Sequence, residues 1–304
     1  MHDPVIVTRA LSHDYGSVLA LDRLDLEIPA GITGLVGANG AGKTTLIRIL
    51  LGLLHPTAGE ASVLGAGVAA EPLEVRSRVG YMPEDECLPN DQTAADFVAY
   101  AAALAGLPGP EAKRRASETL FLVGLHEERF RFLSDFSTGM RQRVKLAQAI
   151  VHDPELVLLD EPASGLDPEG RRQMLELIGR LSEYGVSVLF SSHILSDIEE
   201  TCDWVVMLDG GHLIRSAPLG RLSTSASLHV EVIGPGEVFA DLLRARGAEV
   251  SGEGGRYRVG FPQADPFIAI RDAVVEAGAG LVRLGTTAVT LEEVFLSQAE
   301  GGDG

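Results

Sequence analysis

Apolar positions along the chain change their spacing several times, and each change marks an element. Val5 to Thr8 and Leu19 to Ile28 alternate apolar and polar residues, the mark of half-buried strands, with a turn at 13–17 between them. Gly34-Leu35-Val36 is an apolar strand that runs into the glycine-rich turn 37–42 and then into the apolar helix Leu46 to Leu51. A short strand, Ala61 to Leu64, and a second, Arg78 to Met82 ending at Pro83, precede a mostly helical insert from Thr93 to about Arg131. From Phe136 to Val151 the spacing becomes helical, with Met140, Val144, Ala147 and Ile150 on one face and Ser137 as N-cap. Leu156-Val157-Leu158-Leu159 and Val186 to Phe190 are unbroken apolar runs, as expected of parallel strands covered on both faces. Trp204 to Ile214 reads as a hairpin closed by Asp209-Gly210-Gly211. Beyond Leu222 the order becomes β-α-β-β-α-β, the split pattern of a ferredoxin-like sandwich. The pattern therefore predicts an α/β unit over 1–222, with an N-terminal antiparallel β-subdomain, a mixed core sheet and a helical insert at about 88–150. A small α+β unit over 223–304 completes it.

The turn after the first buried strand carries chemistry. Gly37, Gly42, Lys43 and Thr44 fit G-x-x-x-x-G-K-[ST] in the strand-to-helix setting that gives this pattern its meaning. The glycines of Gly37-Ala38-Asn39-Gly40-Ala41-Gly42 let the backbone come close to a phosphate and aim its N–H groups inward. The N-terminus of the following helix, with Lys43-Thr44-Thr45, adds a positive field, an ammonium and a hydroxyl suited to Mg²⁺. A bare match would also fit an ordinary glycine-rich turn; the flanking strand and helix favour nucleotide binding.

Asp160 and Glu161 follow the buried run 156–159, at the carboxyl end where open α/β sheets bind ligands. Asp160 suits a Mg²⁺ ligand and Glu161 a general base for an attacking water. His193 stands at the end of the next buried run, placed to donate to a terminal phosphate or orient the water; the other histidines read as surface or capped residues. Ser137 and Gly139, at a helix N-terminus, form either a second anion site or a simple cap. Tyr15 is either a ring stacked on adenine or an ordinary strand-end aromatic.

Composition narrows the class. The formal charge of −18 over 304 residues argues against tracking a nucleic-acid backbone, which needs Lys and Arg against phosphate, so no nucleic-acid partner is expected. Cys87 and Cys202 have no metal-ligand spacing and read as buried or inert thiols of a reducing compartment. The most apolar stretch, 97–107, is shorter than the roughly 20 residues a membrane-spanning helix needs.

With these motifs in series, Val5 to Leu222 resembles the ATP-binding subunit of ATP-binding-cassette transporters. The resemblance implies that Tyr15 stacks on adenine, that Gly37, Ala38, Asn39, Gly40, Ala41, Gly42, Lys43, Thr44 and Thr45 bind ATP, and that Thr44 and Asp160 hold Mg²⁺. It assigns Glu161 as catalytic base and His193 as the switch histidine. Phe136-Ser137-Thr138-Gly139-Met140 matches the signature loop, normally Leu-Ser-Gly-Gly-Gln, with Thr138 and Met140 as departures. Ser164-Gly165-Leu166-Asp167 matches the loop that communicates across the dimer. Glu84 stands where most members have a metal-touching glutamine; a carboxylate there still binds metal but repels the γ-phosphate.

The departures look like those of the exporter branch whose membrane subunit is a separate chain. The implied assembly is a head-to-tail homodimer under a permease, on the cytoplasmic face of the membrane, with Ser137 and Gly139 completing the partner's ATP site. The 223–304 unit and its last helix, Leu291 to Leu296, are expected to stabilise the dimer or regulate it, and Gly301 to Gly304 to be disordered. Two rivals remain at this stage. One is an ATPase of the same fold acting on ribosomes or DNA, against which stand a single cassette and the lack of coiled-coil heptads. The other is a regulatory nucleotide-binding module without turnover, disfavoured by Asp160 with Glu161.

Overall fold

The computed structural model describes residues 3–220, 227–260 and 266–287. They fall into two compact units, divided after Ala217.

The first unit contains two sheets. β1 (Ile6–Asp14) and β2 (Leu19–Ile28) pair antiparallel, and β1 also pairs antiparallel with β4 (Ala58–Val63), which turns back into β5 (Ala66–Gly67). This sheet has the order β2-β1-β4-β5. The core sheet has six strands in the order β10-β9-β3-β8-β7-β6. These are β3 (Ile32–Val36), β6 (Val79–Met82), β7 (Leu156–Leu159), β8 (Ser187–Ser192), β9 (Trp204–Asp209) and β10 (His212–Pro218). β3 is parallel to both β8 and β9, and β7 is parallel to both β6 and β8. Gly210 and Gly211 both take positive φ in the turn from β9 to β10, the geometry that a two-residue hairpin turn needs.

Every residue of β3, β7 and β8 is buried, which explains their unbroken apolar runs. Leu35, Leu46, Ile47, Leu156, Leu158 and Leu189 share one core cluster with residues of β1 and β2, so the two sheets close over α1 (Lys43–Leu50). Burying each such side chain stabilises the fold by about 1.5–3 kcal/mol.

The helices are α2 (Pro72–Arg78), α3 (Ala94–Leu104), α4 (Gly109–Leu122), α5 (Thr138–Ile150), α6 (Pro168–Glu183) and α7 (Leu195–Thr201). Thr93 caps α3, Ser137 caps α5 and Asp167 caps α6, each side-chain oxygen accepting from the backbone N–H three residues on. α5 packs against α3, α4 and β6. Its burial exceeds the single apolar face its pattern predicts, because Gln142 and Lys145 are also buried.

In the second unit, β11 (Ser227–Ile233), β12 (Glu249–Glu253), β13 (Arg256–Gly260) and β14 (Gly280–Thr287) form an antiparallel sheet of order β12-β13-β11-β14. α8 (Gly236–Ala245) and α9 (Pro266–Ala277) cover one face, where Phe239, Leu243 and Ile270 meet Leu228, Val230 and Val259. This is the expected β-α-β-β-α-β order. The expected boundary at Leu222, the helix 291–296 and the tail 301–304 lie outside the described residues. Cys202 is buried, which pushes its thiol up; Cys87 is exposed.

Candidate functional site

Sheet order decides where the chemistry gathers. β8 lies between β3 and β7, and all three run parallel. The turn after β3, His193 after β8 and Asp160-Glu161 after β7 therefore leave the same edge side by side, on strands about 4.8 Å apart. They line one cleft of ~780 Å³, together with Tyr15, Ala38 to Thr45, Glu84 and Ser164.

The turn is shaped by two glycines. A Cβ on Gly37 would sit 2.4 Å from the Leu208 carbonyl oxygen and 2.8 Å from Ala41 Cβ. Gly42 has φ +101° and serves as the N-cap of α1 with no side-chain cap and no acid in the first turn. The first amides of α1 therefore keep their full hydrogen-bonding capacity, and nothing in its own first turn offsets the positive end of the helix.

Lys43 is buried, its Nζ donating to the Gly37 carbonyl at 2.7 Å and standing 3.7 Å from Glu161 Oε1. Asp160 is 1% exposed. Its Oδ1 accepts from Ser191 Oγ at 2.7 Å, and the same hydroxyl accepts from the Glu161 N–H at 2.8 Å. Its Oδ2 is buried with no hydrogen-bond partner among the described residues. Such an atom costs free energy unless something binds it.

That orphaned oxygen, in the cleft that also holds Thr44, fits a Mg²⁺ ligand set. No cluster of three His, Cys, Asp or Glu able to hold a metal exists among the described residues.

Glu161 takes φ +47°, a left-handed conformation that glutamate rarely adopts. Its Oε2 lies 2.9 Å from His193 Nδ1. A carboxylate only accepts, so Nδ1 carries the proton of this bond. His193 is 55% exposed at its side chain and reaches the cleft from the Ser192–Ile194 turn. Glu84 is exposed; partial burial, then the nearby Asp160, Glu161 and Asp85, push its carboxyl up, with Lys43 opposing.

Tyr15 is 52% exposed at the cleft mouth, its ring edge-on to His13 at 4.5 Å between centroids. His13 is buried, with Nδ1 2.9 Å from the His55 carbonyl oxygen. Ser137 and Gly139 do not line this cleft. They line a second one of ~520 Å³ with Gly165, Leu166, Asp167 and Arg143.

Sequence reasoning missed Ser191, whose hydroxyl links Asp160 to the Glu161 backbone; the signal was the polar pair Ser191-Ser192 ending an apolar run. Replacing it by alanine, Ser191→Ala, strands the Asp160 Oδ1 and the Glu161 N–H. The expected loss is about 1–3 kcal/mol of stability, read by urea unfolding of the nucleotide-free chain; an unchanged unfolding midpoint would show the bond to be idle.

Residues 21–164 match the family model described as ABC transporter. The chain is 37% identical over 293 residues to an uncharacterized ABC transporter ATP-binding protein of Synechocystis, covering 92% of this chain and 78% of the relative. The chain belongs to the ABC transporter ATP-binding proteins. It is 35% identical to the bacitracin transport ATP-binding protein BcrA of Enterococcus faecalis, over 79% of this chain and 78% of the relative. A solved ATP-binding subunit of an ABC transporter superposes with a TM-score of 0.64 at 31% identity, over 72% of this chain and 91% of that one. Membership makes the chain an ATP-binding ATPase subunit of a transporter. The reading as a ribosome- or DNA-acting ATPase finds no support among these relatives. Among the described residues no helix is long and apolar enough to cross a membrane.

Proposed function

We propose that this ABC subunit powers export through a separate permease, as a head-to-tail homodimer on the cytoplasmic side of the membrane. The observation that carries this reading is the division of the site. The cleft with the phosphate loop, Asp160 and Glu161 lacks Ser137 and Gly139, which lie in a different cleft with the 164–167 loop. A second copy facing the first would bring its Ser137 and Gly139 to the terminal phosphate. Similarity to a bacitracin transport subunit supports the exporter branch.

In this reading the ATP phosphates lie along Ala38 to Thr45, with adenine against Tyr15. Lys43 gives up the Gly37 carbonyl and Glu161 to reach the β- and γ-phosphates. Thr44 and the free Asp160 Oδ2 hold Mg²⁺, with Glu84 facing the same space; the ion supplies charge neutralisation at the phosphates. Glu161, released by Lys43 and held by His193, takes the proton of a water whose oxygen bonds to the γ-phosphorus as the bond to the β-bridging oxygen breaks. ADP and phosphate leave, the γ-phosphate no longer bridges the two copies, and the dimer opens. The 223–304 unit stabilises or regulates that dimer.

The test is copurification of the full-length chain from its native cell in mild detergent, with mass spectrometry of what accompanies it. A polytopic membrane protein in near-equal amount is expected. Ribosomal or DNA-repair proteins with no membrane partner would overturn the reading.

A further inference from the structure

Pro83-Glu84-Asp85-Glu86 places three consecutive acids on the loop after β6, with Glu84 in the nucleotide cleft beside Asp160 and Glu161. Like charges at that range repel, and Lys43 is the cation on the cleft side that opposes them. A loop carrying such charge toward two further acids needs to be fastened from behind.

Two cations of α5, one turn apart, do this. Arg141 donates from Nη2 to Glu86 Oε1 at 2.7 Å and from Nε to Oε2 at 3.3 Å. The same guanidinium donates to the Leu133 carbonyl at 2.6 Å and to Asn90 Oδ1 at 3.3 Å. Lys145 is 3% exposed, and its Nζ donates to the Glu84 backbone carbonyl at 2.9 Å. Burial pushes the Lys145 ammonium down, against Cys87, Glu86, Asp85 and Glu84, which favour its charge. A buried ammonium is costly to the fold, and a purely structural position is served as well by an apolar residue of similar volume. What Lys145 adds is a directed bond to the backbone of the residue that enters the cleft.

We infer that Lys145 is a positioning residue for Glu84: through the Glu84 carbonyl it holds the 83–88 loop so that the Glu84 carboxylate faces Asp160 and Glu161. This rests on the assignment of Glu84 to the Mg²⁺-ATP site made above. Gln142, on the intervening turn of α5, donates to the Ser164 carbonyl at 3.3 Å. One helix, beginning at the Ser137 loop, therefore fastens both the Glu84 loop and the 164–167 loop.

The experiment uses Lys145→Met in the full chain. It removes a buried charge, so the melting temperature is expected to hold within a few degrees while the loop loosens. Hydrogen exchange of amides 84–88 in the nucleotide-free protein is expected to quicken at least tenfold, with α6 and the sheet unchanged. Turnover is expected to fall roughly 10- to 100-fold at unchanged ATP affinity, the cost of a misplaced group. In a Glu84→Ala background the same substitution should add little. Lys145→Gln, which keeps an N–H donor, is expected to fall between the two and serves if the methionine variant fails to fold. Unchanged exchange at 84–88, or an equal loss of turnover with and without Glu84, overturns the inference. Wild-type turnover in Glu84→Ala alone instead overturns the assignment of Glu84, and the exchange result then decides whether Lys145 fastens the loop.

Discussion

Glu161→Gln is expected to bind ATP as the parent does and to lose turnover by about 10²- to 10⁴-fold, the usual contribution of a positioned general base. The amide has the shape of the carboxylate and leaves the backbone bond from Glu161 N–H to Ser191 Oγ in place. What it lacks is the basicity to take a proton from water. It also removes the negative partner that Lys43 has in the nucleotide-free chain, at 3.7 Å, so the lysine is freer to meet phosphate. Single-turnover hydrolysis and ATP affinity, measured side by side, check this. In the proposed assembly the variant should also accumulate as an ATP-bound dimer on gel filtration. Equal ATPase activity in parent and variant would refute the base assignment.

Lys43→Ala is expected to act on binding. The ammonium donates to Gly37 and Ala38 carbonyls and faces Glu161 in a site where its side chain is nine-tenths buried. Charge-assisted hydrogen bonds in such places contribute about 1.5–3 kcal/mol each, so losing one at phosphate weakens ATP roughly 10- to 100-fold. The vacated space also leaves Glu161 without its nearby cation, so the melting temperature of the nucleotide-free chain should fall as well. Isothermal titration with a slowly hydrolysed ATP analogue separates the two effects. Parental affinity in the variant would place the phosphates elsewhere.

The sequence made the edge of the core sheet legible because parallel strands buried on both faces leave unbroken apolar runs. Whatever follows such a run lies at one edge. Lys43, Asp160, Glu161 and His193 could all be placed by that rule. Ser137 could be placed as a cap but not in space, since pairing of clefts is a property of the folded chain. Gln142 and Lys145 were invisible for another reason. The apolar stripe of the helix is complete without them, and it is the folded chain that buries them, Gln142 against the Ser164 carbonyl and Lys145 against the Glu84 carbonyl. The left-handed backbone at Glu161 gave no signal at all, because glycine is the residue that announces such a conformation and glutamate does not.

That backbone sets stability and selection at odds. Holding a glutamate at φ +47° costs on the order of 1–2 kcal/mol. Glycine would relieve the strain and remove the side chain together. With Glu161 as the proposed base, drift toward a relaxed backbone leads, at this one position, to a chain that still holds nucleotide and no longer spends it. A library screened for thermal resistance alone would be drawn toward that loss, so any engineering of this scaffold has to keep turnover in the screen.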